Sequence, residues 1–260
     1  MFANYHTHTY MCGHASGTPR EYVEAAIKCG LKELGFSDHG PYRFTNGGES
    51  DYCFQIKDIP EYFRMLTELK NEYKSDINIY IGFEAEYYPS LFPSFLERLK
   101  PYPLDYLICG QHFIAPDVYD YGDHDLPIYR KYIKRLIDAL KTGCYTYVAH
   151  PDLMGLGPEN EKDFEKETMP LIEFMAKHDF PYEINLLGHS EKRYYPSDRF
   201  AKLAVEAGCK AIIGFDAHNP DAFSNPDFYK GCVEFAEKHG FTLIDRMPLR
   251  SIKNPQPIED

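Results

Sequence analysis

The sequence lacks the features that typically mark a membrane protein, an exported protein or a chain of several domains. It has no apolar stretch of the roughly 20 residues that a helix needs to span a bilayer, and no Gly/Ser linker, low-complexity tract or block of like charges. The segment before His6 is too short to hold a signal peptide. We therefore expect a single domain over residues 1–260, in the cytoplasm and without a membrane partner.

Basic tracts are missing as well. The chain has 28 lysines and arginines against 40 aspartates and glutamates, which gives a net charge of −12 at pH 7. Proteins that bind nucleic acid neutralise its phosphates with clustered lysines and arginines, so this balance argues against a nucleic-acid partner. An acidic protein that binds a small phosphate ester must bring metal ions or a few placed arginines to it.

The seven cysteines include no Cys-x-x-Cys pair, and their odd number is typical of reduced thiols rather than of a disulfide framework. Cys109, Cys144 and Cys209 lie in or beside predicted strands, where cysteine packs as a small hydrophobic residue. Cys12 differs, because it lies between His8 and His14. The sequence leaves open whether Cys12 is an additional metal ligand.

Histidines and carboxylates of the kind that bind metals recur along the whole chain. Residues i and i+2 of a strand point to the same face, so His6 and His8 can reach one ion, and Asp216 and His218 can do likewise. So many residues of this kind predict a site for more than one metal ion. The series consists of His6, His8, His14, His39, Glu84, His112, His150, Asp216 and His218.

Four members of the series come at the ends of apolar runs. The runs cover residues 34–38, 77–83, 104–111 and 145–149, and the ligand-type residue comes directly after each. Continuous apolar runs of this length predict buried strands of a parallel sheet. The metal site should therefore lie at the carboxyl ends of the strands.

Helical patterns connect these strands. The segment Thr18-Pro19-Arg20-Glu21 is a capping box with proline at the first helical position, and Gly30 ends the helix. The stretches 126–143 and 197–208 repeat the helical spacing of apolar residues and also end at glycine. About seven such units predict a parallel sheet, and ligands that come from so many strand ends require that sheet to close into a barrel.

These motifs are similar to those of the PHP (polymerase and histidinol phosphatase) superfamily. The resemblance covers nearly the whole chain and is greatest to the stand-alone histidinol-phosphatase branch. The segment 11–15 is also similar to the corresponding segment of that branch. It implies an α/β fold, namely a distorted (βα)7 TIM-like barrel with the metal site at the carboxyl ends of the strands. It rests on His6-Thr7-His8 with His14, Ser37-Asp38-His39, Glu84, Gln111-His112, His150-Pro151 and Asp216-Ala217-His218.

The resemblance also implies up to three metal ions. An imidazole-rich set of ligands suits zinc, iron or manganese better than magnesium or calcium, so two or three divalent transition-metal ions are the expected cofactors. Glu84 would bridge the first and second ions. The first ion would be held by His6, His8, Glu84 and Asp216, the second by Glu84, His112 and His150, and the third by His14, His39 and His218.

Two arginines are the candidates for substrate binding. Arg193 precedes Tyr194-Tyr195-Pro196, which resembles the family's segment with an arginine before Tyr-Pro, and a guanidinium matches a phosphate through two parallel bonds. Arg43 lies in the long loop 40–58, which could act as a lid. Asp216 and His218 are the candidate groups for proton transfer, and Arg193 is the third candidate catalytic residue.

The resemblance implies a metal-dependent phosphomonoesterase, a histidinol-phosphatase that hydrolyses L-histidinol phosphate in histidine biosynthesis. One alternative is another PHP phosphoesterase that acts on a phosphotyrosine protein, a nucleotide or a nucleic-acid end. Another is a non-catalytic metal-binding protein on the same barrel. A metal-dependent amidohydrolase also fits a histidine-lined barrel. Such enzymes usually bridge their metal ions with a lysine carbamate, whereas this sequence has a glutamate-type bridge in that place. No pattern in the sequence specifies an oligomeric state.

Overall fold

Short parallel strands alternate with helices along the chain. The computed structural model describes residues 2–50, 53–115 and 122–259. The strands are β1 (Ala3–Asn4), β2 (Glu33–His39), β3 (Asn78–Glu84), β4 (Tyr106–Ile108), β5 (Gly122–His124), β6 (Met154–Leu156), β7 (Tyr182–Asn185) and β8 (Ala211–Gly214). The helices are α1 (Pro19–Cys29), α2 (Ile59–Glu72), α3 (Phe92–Leu99), α4 (Leu126–Lys141), α5 (Phe164–Lys177), α6 (Leu186–Ser190), α7 (Asp198–Glu206) and α8 (Pro226–His239).

Helix α1 begins and ends where the sequence signals predict. The Thr18 side chain accepts a hydrogen bond from the backbone of Glu21, and the Glu21 carboxylate accepts one from the backbone N–H of Thr18 at 2.6 Å. Gly30 follows the helix with a φ of 90°, a left-handed conformation that glycine adopts without steric cost. The chain can therefore turn back at once and start β2 beside β1.

The helices bury one face and expose the other. In α4, Tyr132, Leu136 and Leu140 are buried at helical spacing, as expected for an amphipathic helix on a barrel. On its outer side, Arg130 donates two hydrogen bonds to Glu167 of α5, each at 2.7 Å. Within the described residues, no helix combines the length and the apolar composition that crossing a membrane requires.

Seven strand segments close into a barrel. Strands β1 to β4 form one parallel sheet in chain order, and β7 pairs with β8. Val148 joins these two sheets, because it pairs with Cys109 after β4 and with Tyr182 of β7. The ring closes where Thr7, after β1, pairs with Ala217, after β8. The predicted (βα)7 TIM-like barrel is confirmed.

Two details differ from the expectation. The strand predicted over 145–149 takes part in the barrel through single bridges at Val148 rather than through a continuous ladder. Directly after it the chain turns at His150, whose φ is 32°, so the extended segment ends there. Strands β5 and β6 form a separate two-stranded parallel ladder, which the apolar pattern did not indicate.

Tyrosines and glycines share the interior of the barrel. Tyr5, Tyr106 and Tyr147 belong to a small buried cluster that is distinct from the larger apolar core. The Tyr106 hydroxyl lies 2.7 Å from the backbone oxygen of Tyr5 and 3.1 Å from that of Phe36. Gly82 leaves room for this ring, since a Cβ there would lie 2.5 Å from Cε1 of Tyr106. The interior is thus packed, and polar side chains collect at the strand ends.

Candidate metal centre

The ligand-type residues converge at the carboxyl ends of the strands. His39 and Glu84 are the last residues of β2 and β3, and they are partners in the parallel ladder. His6 and His8 follow β1, and Asp216 lies two residues beyond β8. Because all strands of a parallel barrel end at the same rim, residues far apart in sequence become neighbours. All nine predicted ligands lie in this one cluster.

Glu84 lies at the centre of the cluster. Its Oε1 is 2.9 Å from Nε2 of His150 and 3.5 Å from Nε2 of His112. Its Oε2 is 3.2 Å from Nδ1 of His39 and 3.4 Å from Nε2 of His8. One carboxylate therefore faces two groups of imidazoles, which is the arrangement that a bridge between two cations requires.

Asp216 contributes the second carboxylate. Its Oδ1 lies 3.1 Å from Nε2 of His8 and 3.4 Å from Nε2 of His6. The backbone φ is 51° at Asp216 and 32° at His150, values that residues other than glycine seldom adopt. Strained backbone of this kind concentrates at functional sites, and two of the four described residues other than glycine with a positive φ belong to the cluster.

His14, His39 and His218 form a third group. The ring centre of His14 lies 4.9 Å from that of His218 and 5.1 Å from that of His39. Nδ1 of His14 is 3.1 Å from the carbonyl oxygen of Cys12, and Nδ1 of His218 is 2.9 Å from that of Asp216. A carbonyl only accepts, so each Nδ1 is the donor, and Nε2 is the nitrogen of each ring that is left for a metal ion. The buried Cys12 thiol lies within 4.8 Å of donor atoms of His14 and His218, and its role as an additional metal ligand stays open.

Several buried ring nitrogens of the cluster have no hydrogen-bond partner among the described residues. They are Nε2 of His6, both ring nitrogens of His8 and Nδ1 of His150. Buried polar atoms are nearly always paired, and each unpaired one costs about 1 to 3 kcal/mol. Divalent transition metals fit this nitrogen-rich set of ligands. Donor atoms lie within 4.8 Å of one another in His6–His8–Asp216, in His6–Glu84–His150 and in His8–His39–His218.

Glu183, a fully buried carboxylate that the sequence analysis did not single out, contacts two members of the cluster. Its Oε1 lies 2.9 Å from Nδ1 of His6, and its Oε2 accepts from the backbone N–H of His150 at 2.8 Å. The Asn185 side chain donates to the same Oε2 at 3.1 Å and to Oδ2 of Asp216 at 3.2 Å. The available signal was an acidic residue inside an otherwise apolar strand, since buried charges are rare unless they are paired.

Glu86 makes the equivalent contacts to His112. Its Oε1 lies 2.9 Å from Nδ1 of His112 and accepts from the backbone N–H of the same residue at 2.9 Å. The Gln111 side chain donates to Oε2 at 2.8 Å. Glu86 comes two residues after Glu84, so the spacing that identified the histidine pairs also pointed to it. In both carboxylate–imidazole pairs Nδ1 is held, which turns Nε2 towards the cluster.

The charges of the cluster shift one another's pKa values. Burial disfavours the charged form of His6, but the surrounding carboxylates, Glu183 first, outweigh it and raise the pKa of His6 well above its usual value. Burial also acts against the Glu84 carboxylate, yet the neighbouring imidazoles, His112 first, hold its pKa well below the ordinary range. Burial and His218 lower the pKa of His8 to about 3. The cluster therefore offers an ionised carboxylate and a neutral His8 imidazole, the forms that bind cations.

A cavity of about 590 Å³ opens onto the cluster. Arg193 lies in its wall, where Nη1 donates to the Tyr195 hydroxyl at 2.7 Å, and the Tyr195 ring centre is 5.5 Å from that of His150. Arg193 is therefore beside the cluster of ligand-type residues, and its contact with a phosphate stays a prediction. The cavity is lined by His14, His39, Cys53, His112, Phe113, Leu153, Leu187, Glu191, Arg193, Tyr194, Tyr195, Asp216 and His218.

Arg43 lies elsewhere. Its Nη2 is 2.9 Å from Oε1 of Glu49, and the Arg43 side chain is 53% exposed. The two residues also pair through their backbones, which keeps the arginine within its own loop. Arg43 is not among the described residues that line the cavity, whereas Cys53 of the same loop is. Residues 51 and 52 lie outside the described part of the chain, and both the lid and the substrate contact of Arg43 stay predictions.

The fold and the site together define a class of protein. A parallel barrel that brings seven imidazoles and two carboxylates together at its strand ends offers a set of ligands that suits divalent metal ions. The chain belongs to the PHP domain family, which matches residues 4–186. This match includes seven of the nine ligand-type residues, and Asp216 and His218 lie beyond it.

Proteins similar to this one have been named as histidinol-phosphatases. A probable histidinol-phosphatase of Deinococcus radiodurans is 28% identical over 229 residues, which cover 83% of this chain and 85% of that protein. The histidinol-phosphatase of Lactococcus lactis is 25% identical over 230 residues, 83% of each chain. A crystal structure of histidinol phosphate phosphatase from Lactococcus lactis, complexed with zinc, L-histidinol and phosphate, has a TM-score of 0.70 at 21% identity and covers 94% of this chain and 95% of that one. This similarity supports the barrel fold.

Proposed function

We propose that the chain is a metal-dependent phosphomonoesterase that hydrolyses L-histidinol phosphate to L-histidinol and phosphate, the histidinol-phosphatase step of histidine biosynthesis. The observation that carries this proposal is the cluster of nine ligand-type residues, five of which line a cavity with Arg193 in its wall. The relatives suggest the substrate. Two of them are named histidinol-phosphatases, and the structure from Lactococcus lactis holds L-histidinol and phosphate, the two products of this reaction.

We propose the three sets of metal ligands that the family resemblance implies, and the proximity of donor atoms in His6, His8 and Asp216, all within 4.8 Å of one another, supports the first set. Glu84 would be shared by the first and second ions, because its Oε2 faces His8 and its Oε1 faces His150. Bound divalent ions supply Lewis acidity, which activates water near neutral pH and offsets the charge on the phosphate oxygens. The assigned sets are His6, His8, Glu84 and Asp216 for the first ion, Glu84, His112 and His150 for the second, and His14, His39 and His218 for the third.

The chain's own residues bind and orient the ester. The Arg193 guanidinium donates two parallel hydrogen bonds to the phosphate. Phe113 and Leu153 lie in the cavity wall and give the organic part of the substrate an apolar surface. Asp216 and His218 lie at the floor, where either one is placed to pass a proton to the leaving oxygen. We also propose that the protein acts in the cytoplasm.

A phosphatase assay tests this function. Protein reconstituted with zinc, iron or manganese is offered L-histidinol phosphate, a phosphotyrosine peptide, a nucleotide and a 5′-phosphorylated oligonucleotide, and released phosphate is measured. We expect kcat/KM to be highest for L-histidinol phosphate and elemental analysis to find two or three ions per chain. A higher kcat/KM for one of the other esters would assign the chain to another PHP phosphoesterase activity. Full metal content without turnover of any ester would point to a metal-binding protein.

The matched control for this assay is Glu84→Gln. The amide keeps the size of the side chain but removes the charge with which one group bridges two cations. We expect this variant to lose both metal and turnover. Wild-type turnover with full metal content in Glu84→Gln would exclude Glu84 as the bridge.

A further inference from the structure

Glu191 and Arg193 present a carboxylate and a guanidinium side by side in the wall of the site cavity. The turn that carries them is fixed to α6, because the backbone N–H of Glu191 donates to the carbonyl oxygen of Leu187 at 3.0 Å and that of Arg193 donates to Gly188 at 2.9 Å. Between the two lies Lys192, whose φ is 55°. The backbone thus holds both side chains at the cavity.

The hydrogen bonds of the pair leave one carboxylate oxygen available. Arg193 donates through Nε at 2.8 Å to Oε2 of Glu191, and its Nη2 lies 2.6 Å from the same oxygen. One N–H of Nη1 donates to the Tyr195 hydroxyl, so one N–H on each of Nη1 and Nη2 remains for a phosphate. The other oxygen of Glu191, Oε1, makes no hydrogen bond among the described residues. The side chains of Arg193 and Glu191 are 41% and 50% exposed, so a ligand that enters the cavity can reach them.

Among the described residues that line the cavity, Glu191 is also the only carboxylate outside the proposed metal ligands. Among the described residues that line the cavity, the acidic ones are Asp216 and Glu191. Asp216 already faces His6 and His8. In the same set, Arg193 is the one lysine or arginine. The described part of the wall therefore carries one carboxylate outside the proposed ligands, directly beside one guanidinium.

We propose that Glu191 binds the ammonium group of the substrate, so that the Glu191–Arg193 pair recognises a phosphate ester of a 2-amino alcohol. This inference rests on the proposed function. In such an ester the ammonium nitrogen is two carbons from the ester oxygen, so the positive group lies next to the negative one. A phosphate held by Arg193 places the ammonium beside the neighbour of Arg193, and Oε1 of Glu191 is the free acceptor there. The ammonium also offsets the repulsion between the carboxylate and the phosphate.

The test compares two substrates in one variant. Glu191→Gln keeps an amide oxygen for Arg193 but removes the negative charge. Activity is measured on L-histidinol phosphate and on imidazolylpropyl phosphate, which is the same ester without the amino group. The measured quantity is kcat/KM for L-histidinol phosphate divided by kcat/KM for the ester without the amino group. We expect this ratio to fall about tenfold, the effect of losing one partly exposed charged hydrogen bond. Glu191→Asp, which keeps the charge on a shorter side chain, should recover part of the ratio.

The control variant is Glu72→Gln. Glu72 accepts two hydrogen bonds from Arg20, at 2.6 and 2.7 Å, and is also 50% exposed, but it is not among the described residues that line the cavity. We expect the substrate ratio to stay at the wild-type value in Glu72→Gln. An unchanged ratio in Glu191→Gln overturns the inference and leaves the proposed function standing. A metal-loaded wild-type protein that hydrolyses neither ester overturns the proposed function and this inference with it.

Discussion

At the scale of single residues, the buried carboxylates differ in what their oxygens face. The oxygens of Glu84 face imidazole nitrogens from four strand ends. Glu183 and Glu86 instead contact the Nδ1 side of His6 and His112. The first arrangement suits a metal ligand, and the second fixes the orientation and tautomer of a ligand. The two kinds of carboxylate should respond differently to substitution.

We expect Glu183→Gln to weaken the binding of zinc about 10- to 100-fold. The carboxylate serves His6 with one oxygen and the backbone N–H of His150 with the other. An amide has one accepting oxygen and turns its NH2 group towards the second donor. Competition with a chromophoric chelator measures the affinity, and circular dichroism checks that the variant is folded.

Glu33→Gln is the control for this substitution. Glu33 is also buried, but it begins β2 at the opposite end of the barrel, where it accepts from the Tyr5 hydroxyl at 2.5 Å and lies 2.9 Å from Nη2 of Arg246. Loss of the Glu33 charge should lower the free energy of unfolding without a specific effect on the affinity for zinc. Equal losses of zinc affinity in the two variants would show that Glu183 affects zinc binding only by stabilising the core of the barrel.

Arg193→Ala should lower kcat/KM for L-histidinol phosphate roughly 30-fold, about 2 kcal/mol of transition-state stabilisation, and leave the metal content unchanged. Arg193→Lys should recover only part of this loss, because an ammonium keeps the charge but cannot form two parallel bonds. Steady-state kinetics with elemental analysis checks both expectations. An alanine variant within about twofold of wild type, too small an effect for a charged contact, would leave phosphate binding to the metal ions.

At the scale of elements, glycines in β2 and β3 determine how tightly the barrel closes around Tyr106. A Cβ at Gly35 would lie 2.3 Å from the Tyr106 hydroxyl oxygen, and a Cβ at Gly82 would lie 2.5 Å from the Tyr106 ring. These glycines come before His39 and Glu84 in the same strands. Packing inside the barrel and the position of two ligand-type residues therefore depend on the same pair of strands.

Gly82→Ala should destabilise the protein by about 1 to 3 kcal/mol, the usual cost of forcing extra volume into a packed core. The substitution collides with ring carbons of Tyr106, so replacing that ring should relieve part of the effect. We expect Gly82→Ala combined with Tyr106→Leu to be less destabilised than the sum of the two single variants. Urea unfolding measures all three free energies. Strict additivity would contradict the proposed collision.

At the scale of the whole molecule, the cluster joins both ends of the barrel sequence. His6 and His8 follow β1 and Asp216 follows β8, so ions bound by these residues would connect segments about 210 positions apart in sequence. Ions that bind the folded chain and not the unfolded chain add to its stability by mass action. Metal content should therefore control the unfolding temperature.

Removing the ions with a chelator should lower the unfolding temperature by about 5 to 10 °C for each ion that is removed. Ions at 100 times their Kd contribute about 2.7 kcal/mol per site, and about 1 kcal/mol corresponds to roughly 2 to 4 °C for a domain of this size. Differential scanning calorimetry with and without chelator measures the shift. Glu84→Gln should respond much less, because it holds less metal. An equal shift in that variant would mean that the chelator acts on the protein by another route.

The sequence by itself determined the ligand series and the class of fold. Spacing of two residues within a strand places His6 beside His8, and this rule depends only on local backbone geometry. The capping box at Thr18 and the left-handed Gly30 are likewise local, and the structure contains both. Apolar runs that end in ligands imply a barrel, because the carboxyl ends of parallel strands share one rim.

Only the tertiary structure decided which carboxylates support the ligands and which arginine lies at the cavity. Glu183 reaches His6 across 177 positions of sequence, and no local pattern encodes a contact of that range. Arg43 and Arg193 are both arginines in predicted loops, but Glu49 pairs with the first within its own loop and the end of α6 holds the second at the cavity. The difference arises because local rules fix the direction of a side chain along its strand or helix, whereas its partners depend on how the elements pack.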